Sequence, residues 1–286
     1  MGTIQQGFEK SNLLSLVIGT ALDDIDEDDF EKIEDMGVNE VREIVSNIRI
    51  ESEDDWTPPQ PASDSRIWRY INLTQLLSIL EKESLWFTDI SNFEDPYEGT
   101  VPKGNVQDEI QEMSSRLEVS DETAKVLHSF YTDDPGIGGY YVNCWNLSPH
   151  ESAALWEQYI DTSQGVAIST TVDNLKSAIG TDEIMYGEVN YIDYEEESIP
   201  QGILPLLFHK RRSFKHENEF RICIGDSEAD LGDGNYVDVE VGELIDQLYL
   251  SPISPNWFED LITDILETYK IDCELQKSDL YSDPVY

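Results

Sequence analysis

The sequence predicts an α+β protein with a mixed, mainly antiparallel sheet, flanking helices and an N-terminal helical extension. Helix-like and strand-like stretches follow one another without the regular alternation typical of a doubly wound parallel sheet, and no internal repeat is visible. Hydrophobic residues make up 39% of the chain, with 14 Tyr, 9 Phe and 6 Trp, which is enough for a packed core. The length of 286 residues suits one large domain or two smaller ones.

The first 65 residues are predicted to lie outside the main domain. Residues 1–51 combine a run of acids with apolar residues at helical spacing after Gly37, which predicts an acidic helical extension. Residues 52–65 contain Thr57-Pro58-Pro59-Gln60-Pro61 among acids and serines, the composition of a stiff, extended linker. The main α+β domain is therefore predicted to span 66–286.

The main domain is predicted to open with a strand over 66–71, an amphipathic helix over 73–80 and a second strand over 85–87. Residues 105–131 are polar and are predicted to form a helical insertion. Residues 148–151, Ser-Pro-His-Glu, match a capping box with Pro at the first helical position, which predicts a helix through Ile160. Further strands are predicted over 140–145, 165–170, 186–191, 219–224, 237–239, 247–250 and 273–276, and further helices around 204–208 and over 257–269.

The charge balance is the most unusual property of the composition. With 60 Asp and Glu against 18 Lys and Arg, the formal net charge is -42, which destabilises a compact state by self-repulsion in ordinary buffer. Molar salt shortens the Debye length to about 3 Å and removes most of that repulsion. Because the acids are spread over almost the whole chain, we predict a halophilic, cytoplasmic protein rather than one with a dedicated basic partner.

Several partner classes are disfavoured on composition. A nucleic-acid duplex is bound through Lys and Arg, so this surface as a whole does not suit an extended duplex. No stretch is long enough to span a membrane, and the short apolar run 13–18 lacks the basic segment of a signal peptide. The three cysteines have no metal-ligand spacing and are predicted to be buried free thiols.

The loop 92–99, with the sequence Asn-Phe-Glu-Asp-Pro-Tyr-Glu-Gly, follows a predicted strand and holds three carboxylates. Asp95 and Glu98 are candidates to bind a cation, to act as bases or to hold a ribose hydroxyl. The alternative, which composition favours, is a turn in which Asp95 accepts hydrogen bonds from nearby backbone amides while Phe93 and Tyr97 anchor the loop.

A basic stretch interrupts the acidic sequence. Five of the 18 basic residues lie between Lys210 and Arg221. Guanidinium groups suit phosphate or carboxylate recognition, although a local ion-pair network with flanking acids explains the stretch equally well. Glu217 and Glu219 alternate along a predicted strand and so are expected on one side, where they can bind ribose, hold a metal or serve as acid and base.

A third constellation joins Cys144-Trp145 to Trp156 and Tyr159, two aromatics on one face of a predicted helix. Core packing is the favoured interpretation, and a stacking surface for a base is the alternative. Cys144 is a weak candidate for a nucleophile, because none of the four histidines is placed as its base.

Taken in order, these segments resemble the domain of unknown function 2971 family over residues 66–286. The matching pieces are Trp68-Arg69-Tyr70, Leu85-Trp86-Phe87, Asp95-Pro96-Tyr97-Glu98, Cys144-Trp145, Trp156, Tyr159, Gly165-Val166-Ala167-Ile168, Lys210, Glu217-x-Glu219-x-Arg221, Leu250-Ser251-Pro252 and Lys277-Ser278-x-Leu280-Tyr281.

The opening of that pattern is similar in turn to ADP-ribosyltransferase-type domains. The resemblance implies that Arg69 contacts NAD, that Ser169-Thr170 supports the nicotinamide pocket, and that Glu217-x-Glu219 supplies the catalytic glutamate. NAD would be the substrate, with Arg69 pairing with its phosphates and Tyr70 or Trp86 stacking on nicotinamide. Asp95, Glu98, Lys210 and Arg221 complete the expected binding residues.

Three hypotheses of function follow. The first is NAD-dependent ADP-ribosyl transfer in a toxin or phage-defence setting, with Glu219, Glu217 and Arg69 as the catalytic residues. The second is a non-catalytic nucleotide- or partner-binding module that uses the stretch 210–221. The third is a metal-dependent nuclease whose ligands would be Asp95, Glu98, Glu217 and Glu219.

Overall fold

The computed structural model describes residues 25, 27–36, 40, 41, 44, 48, 56–131, 137, 139–160, 163–181, 184–225 and 232–284. Helices flank a mixed, mostly antiparallel sheet, which confirms the predicted α+β class. The chain divides into two compact units. The sheet unit comprises the described residues of 58–94, 139–191 and 212–286, and the helical unit those of 1–57, 95–138 and 192–211.

The elements follow in chain order. The strands are β1 (Arg66–Asn72), β2 (Ser84–Asp89), β3 (Tyr140–Leu147), β4 (Gly165–Thr171), β5 (Met185–Glu188), β6 (Asn190–Ile192), β7 (His209–Arg211), β8 (Glu219–Gly225), β9 (Gly234–Asp238), β10 (Gln247–Leu250) and β11 (Glu274–Lys277). The α-helices are α1 (Glu27–Met36), α2 (Leu73–Lys82), α3 (Lys103–Leu117), α4 (Asp121–Tyr131), α5 (Ala153–Tyr159), α6 (Val172–Ile179), α7 (Ile203–Phe208), α8 (Val241–Leu244) and α9 (Asn256–Tyr269), with 3₁₀ turns at Ile90–Asn92 and Arg212–Glu217.

Nine of the described strands form one sheet in the sheet unit. Its main path runs β11-β10-β4-β1-β3-β2-β9, and β8 joins β3 to β5. The pair β10 and β11 is parallel, and the other registered pairs are antiparallel. The predicted strands therefore form, with ends shifted by a few residues.

The two faces of this sheet have different covers, because successive side chains of a strand point to opposite sides. One face carries the main core, where Ile67, Trp145 and Phe220 pack with residues of α2, α6 and α9. The other face carries a smaller aromatic cluster in which Trp68 and Tyr70 pack against residues of α5. The helix α5 thus covers the side opposite the main core.

Strand β3 is the strand at which the sheet divides. Along one edge it pairs with β8 over the whole of 140–146. Its other edge is shared by two strands: β1 pairs only with 146–147, and β2 only with 141–142. Residues 143–145 have no ladder partner on that edge within the described sheet. We call this break, opposite Asn143, Cys144 and Trp145, the gap.

The helical unit has a core of its own. Ile33 from α1 packs with apolar residues of α3 and α4, among them Met113 and Leu127. Residues 105–131 were predicted as a helical insertion, and they lie in the two helices α3 and α4, the first of which begins at Lys103. Within this core the buried side chains of Glu109 and His128 are paired, with 2.8 Å between Oε2 and Nε2.

The structure corrects two local predictions. The helix expected from residue 148 begins only at Ala153, because Ser148 uses its hydroxyl within its own turn with His150 and Ser152 caps the helix instead. Glu217 does not share a strand with Glu219. It ends a 3₁₀ turn, and Asn218 follows with a φ of +39° before β8 begins.

From Pro58 onwards the proline-rich stretch is packed within the sheet unit rather than isolated. Glu188 N donates to Pro59 O at 2.8 Å, and Gln60 Nε2 donates to Tyr186 O at 2.7 Å. Residues 58–60 therefore lie along β5 within the sheet unit. The predicted boundaries at residues 51 and 65 stay predictions, as does the fold of the remaining N-terminal residues, which lie outside the described part of the chain.

Among the described helices, none combines the length and the apolar character needed to cross a bilayer.

The burial of the main core predicts how much stability is lost when one of its side chains is truncated. Leu248 on β10 is fully buried in the main core, so Leu248→Ala should lower the free energy of unfolding by about 2–5 kcal/mol in urea titrations. Leu261→Ala on α9 is the matched control, because Leu261 is exposed and its loss should cost less than about 1 kcal/mol. Equal losses in the two variants would contradict this assignment of the core.

Candidate active site

Side chains replace the missing ladder at the gap. Arg69 Nη1 donates to the carbonyl oxygen of Cys144 at 2.7 Å and to Oδ1 of Asn143 at 3.0 Å. Asn143 Oδ1 also accepts from Trp145 Nε1 at 2.7 Å, and its Nδ2 donates to Trp86 O at 2.8 Å. One guanidinium and one carboxamide therefore satisfy backbone carbonyls at the break in the sheet, and the carboxamide also satisfies the indole N–H of Trp145.

A cavity of about 250 Å³ lies within the sheet unit beside the gap. It brings Arg69, Glu217 and Glu219 together, the three residues predicted as catalytic. Asn146 pairs with Glu219 across β3 and β8, so their side chains share a face. The other lining residues are Trp68, Tyr70, Ile71, Gln75, Thr88, Phe93, Val142, Cys144, Trp145, Leu155 and Tyr159.

Arg69 supplies the positive charge in the cavity wall. Its Nη1 makes the two hydrogen bonds at the gap, and its guanidinium carbon lies 5.9 Å from the centre of the Trp145 ring. Burial lowers the pKa of Arg69, but a guanidinium remains charged throughout the physiological range. Because the group has five N–H donors in a planar fork, its remaining donors suit a phosphate or carboxylate in the cavity.

Glu219 is fixed by the residue two positions further along β8. Arg221 Nε donates to Glu219 Oε2 at 2.7 Å, and Arg221 is fully buried while Glu219 is 6% exposed. The guanidinium of Arg221 also lies 5.6 Å from the centre of the Phe93 ring. Arg221, which was predicted to bind a cofactor, is bonded to Glu219 and is not part of the cavity lining; its role in binding stays a prediction.

A short chain of hydrogen bonds fixes Glu217. Gln158 Nε2 donates to Glu217 Oε1 at 3.0 Å, and Gln158 Oε1 lies 3.1 Å from His216 Nε2. A carboxylate only accepts hydrogen bonds, so the NH₂ of Gln158 faces Glu217 and its carbonyl oxygen faces His216. His216 Nε2 is therefore the donor, and the carboxylate of Glu217 is held from α5.

The aromatic residues of the cavity divide into packed and exposed ones. Tyr70 is buried, its ring packs edge-on against Trp156 at 5.1 Å, and its hydroxyl accepts from Ser152 N at 2.6 Å. Burial raises the pKa of the Tyr70 hydroxyl. Tyr159, at the end of α5, lines the cavity with 53% of its surface exposed. Trp156 thus packs in the core, and Tyr159 presents an exposed aromatic surface.

Trp86 lies apart from the lining of this cavity. Its ring packs edge-on against Tyr236 at 4.9 Å, and 38% of its surface is exposed. Only its carbonyl oxygen takes part in the gap, as the acceptor for Asn143. The stacking roles predicted for Tyr70 and Trp86 therefore fit Tyr159 better.

The candidates Asp95, Glu98 and Lys210 belong to the helical unit and are engaged there. Arg211 binds Asp95 through two bonds, Nε to Oδ2 at 3.0 Å and Nη2 to Oδ1 at 2.6 Å. Asp95 Oδ1 also accepts from Tyr97 N at 3.1 Å. Lys210 Nζ lies 3.0 Å from Glu98 Oε1, and both side chains are buried. These contacts match the alternative of a locked turn and an internal ion-pair network.

The residues expected to support nicotinamide, Ser169 and Thr170, are fully buried on β4 and are not part of the cavity lining. Neither hydroxyl has a hydrogen-bond partner among the described residues. Within the same residues, no cluster of three or more His, Cys, Asp or Glu side chains is arranged to hold a metal ion.

Two residues of the site, Asn143 and Asn146, were missed from sequence. Both lie in the otherwise apolar strand 140–147 and both are buried, at 1% and 7% exposed. Asn is depleted in strands and seldom fully buried, so a pair at this spacing was a readable signal of a polar role. The aromatic neighbours of these two residues favour a packing interpretation of the strand instead.

No protein-family model matches the chain, so the resemblance to the domain of unknown function 2971 family finds no support there. No curated protein matches it either.

Solved structures of DarT from Thermus sp. 2.9 align with most of the chain. The complex of DarT with NAD+ is 8% identical, covers 77% of this chain and 97% of its own, and gives a TM-score of 0.37. The complex with ADP-ribosylated ssDNA is 9% identical, covers 78% and 98%, and gives a TM-score of 0.36. TM-scores this low do not establish a common fold.

The polar bridge at the gap can be tested by substitution. Asn143→Ala removes two acceptor contacts and one donor contact, leaving Trp145 Nε1 and Trp86 O without these partners. We expect a loss of about 2–4 kcal/mol in the free energy of unfolding. Asn235→Ala on β9 is the control, because no side-chain hydrogen bond of Asn235 is found among the described residues. If the two variants unfold at the same urea concentration, Asn143 does not bridge the gap.

Thiol labelling tests the access to the cavity. The three cysteines are free, but only Cys223 is fully buried, and burial raises its pKa to about 12. Burial, with Asp272 and Asp246 nearby, raises the pKa of Cys273 to about 11. Raised pKa values keep both thiols protonated at about pH 8, so both react slowly with alkylating reagents. Iodoacetamide followed by peptide mass spectrometry should therefore modify Cys144 first, and faster labelling of Cys223 would contradict the structure.

Proposed function

We propose that this chain is an ADP-ribosyltransferase-like enzyme that uses NAD in the cavity beside the gap. The observation that supports this function best is that Arg69 lines one cavity with Glu217 and Glu219, although it lies far from both in the sequence. A cation at one wall and two fixed carboxylates at another suit a ligand with a phosphate and a sugar that develops positive charge. The toxin or phage-defence setting stays a hypothesis based on the resemblance.

The binding role falls to Arg69 and Tyr159. The donors of Arg69 that do not serve the gap would bind the pyrophosphate, as a guanidinium fork matches two phosphate oxygens. The exposed ring of Tyr159 would stack on the nicotinamide or on a base. Sites for whole drug-sized ligands measure about 300–1,000 Å³, so a cavity of about 250 Å³ suits the nicotinamide riboside end of the dinucleotide.

The bond-breaking role falls to Glu219. When the bond between C1′ of ribose and the nicotinamide nitrogen breaks, its electron pair goes to nicotinamide, which leaves neutral, and positive charge develops on the ribose. The carboxylate of Glu219, held by Arg221 at 2.7 Å, would bind a ribose hydroxyl and stabilise that charge. Because Arg221 fixes the carboxylate before substrate binds, little reorganisation is needed during the reaction.

The acceptor role falls to Glu217. Its carboxylate would take the proton from the attacking hydroxyl or amine as the new bond to C1′ forms. Gln158 holds that carboxylate from α5, so its position is set independently of β8. Two carboxylates with separate supports can thus take separate roles.

The other two hypotheses have less support. The basic stretch proposed as a phosphate site places Lys210 and Arg211 in contact with Glu98 and Asp95, and Arg221 in contact with Glu219. Two of the four carboxylates proposed as nuclease ligands, Asp95 and Glu98, are thus already engaged by internal cations.

The direct test is the release of nicotinamide from NAD, measured at low and at molar salt because of the acidic composition. Glu219→Gln keeps the size of the side chain and removes its charge, so we expect cleavage to fall by about a hundredfold or more. Glu259→Gln, the same change at an exposed position of α9, is the control and should leave the rate unchanged.

Full activity of Glu219→Gln would refute the assignment of the catalytic glutamate. Binding of NAD by the wild-type chain without any cleavage or transfer would refute the enzyme and favour the nucleotide-binding module.

A further inference from the structure

One residue of the cavity wall carries a buried acceptor atom that has no hydrogen-bond partner in the described part of the chain. Asn146 is 7% exposed, and its Nδ2 donates to the backbone carbonyl of Glu217 at 2.7 Å. Because a carbonyl only accepts, this bond fixes the NH₂ end of the carboxamide and sets Oδ1 on the other side. Among the described residues, Oδ1 has no hydrogen-bond partner.

An unpaired acceptor of this kind costs free energy, so buried polar atoms are nearly always paired. The other four unpaired side-chain atoms of the described residues are hydroxyls of serine or threonine, none of which lies in the cavity wall. Asn146 alone in that set lines the cavity. Its position therefore points to a donor on the ligand.

The neighbours of Asn146 narrow the chemistry of that donor. Asn146 lies directly opposite Glu219 in the β3–β8 ladder and is bonded to the backbone of Glu217. This wall presents an amide oxygen and two carboxylates, which accept hydrogen bonds and repel phosphates and carboxylates. A neutral group with two adjacent donors fits it, and the vicinal diol of a ribose is such a group.

We propose that Asn146 Oδ1 accepts a hydrogen bond from a hydroxyl of the ligand's ribose, next to the hydroxyl bound by Glu219. The inference rests on the proposed function, since it takes the ribose to be the one attached to nicotinamide. Asn146 is then a binding residue that selects ligands with an intact ribose diol, while Arg69 binds the phosphate side. The contribution of Oδ1 appears in ligand affinity, whereas the Nδ2 donor, bonded to the Glu217 carbonyl, contributes to the stability of the free protein.

Calorimetric titrations with three probes test this assignment. ADP-ribose carries the second ribose, ADP lacks it, and carba-NAD keeps the ring hydroxyls and the carboxamide but resists cleavage. Asn146→Leu should lower the affinity for ADP-ribose and for carba-NAD about tenfold to a hundredfold and leave the affinity for ADP unchanged. Asn146→Asp also loses the Nδ2 donor but keeps an oxygen acceptor, so it should bind ADP-ribose more tightly than Asn146→Leu.

Ser84→Ala is the matched control. Ser84 Oγ is likewise buried and unpaired, but Ser84 is not part of the cavity wall, so all three affinities should stay at the wild-type values. Melting curves of each ligand-free variant establish that it is folded before titration.

Each other outcome overturns the assignment in a distinguishable way. If Asn146→Leu binds ADP-ribose with the wild-type affinity but binds carba-NAD more weakly, the donor is the carboxamide of the nicotinamide rather than a ribose hydroxyl. Unchanged affinity for both would remove Asn146 from the site and leave the proposed function intact. If Asn146→Leu weakens the binding of ADP as much as that of ADP-ribose, the substitution distorts the whole site, and the assignment to the ribose is wrong. Failure of the wild-type chain to bind ADP-ribose or carba-NAD would overturn the proposed function together with this inference.

Discussion

The interruption of the sheet at residues 143–145 is the constraint on which the site depends. Two strands share one edge of β3 and leave three residues without ladder partners there. Backbone groups in a buried sheet must be paired, so the break persists only because Arg69 and Asn143 take the place of the missing strand. The same break provides room for a cavity, with a guanidinium already at its wall. Arg69 therefore serves both the stability of the break and the candidate chemistry.

The carboxylates of the cavity have supports of different kinds. Glu219 is held by Arg221 along the same strand, whereas Glu217 is held by Gln158 from the helix across the cavity. A buried carboxylate without a partner would be costly, and a partner also fixes its direction. The scarce cations of this acidic chain are used in this way elsewhere too, since Lys210 and Arg211 pair with acids of the helical unit. Three of the five cations of the basic stretch, Lys210, Arg211 and Arg221, are thus partners of acids within the protein.

Hydrophobic periodicity predicted the strands and helices of the sheet unit well, because burial of one face dictates that pattern. It failed at Ser148 and at Glu217, where local side-chain hydrogen bonding and a left-handed residue interrupt regular structure. The basic stretch indicated Glu217 and Glu219 as candidates, and the resemblance to ADP-ribosyltransferase-type domains indicated Arg69. The division of roles between Tyr159 and Trp156 depends on which side of a short helix faces the cavity, and that requires the tertiary arrangement. The gap itself is set by strand pairing, and strand order is not encoded in any single segment.

A crystal structure with bound carba-NAD tests the position of the reaction site most directly. The pyrophosphate should contact the guanidinium of Arg69, the nicotinamide ribose should lie against Glu219 and Asn146, and an aromatic ring of the ligand should stack on Tyr159. A ligand bound elsewhere, or one in this cavity with its ribose turned away from Glu219, would contradict the claim that the gap forms the reaction site.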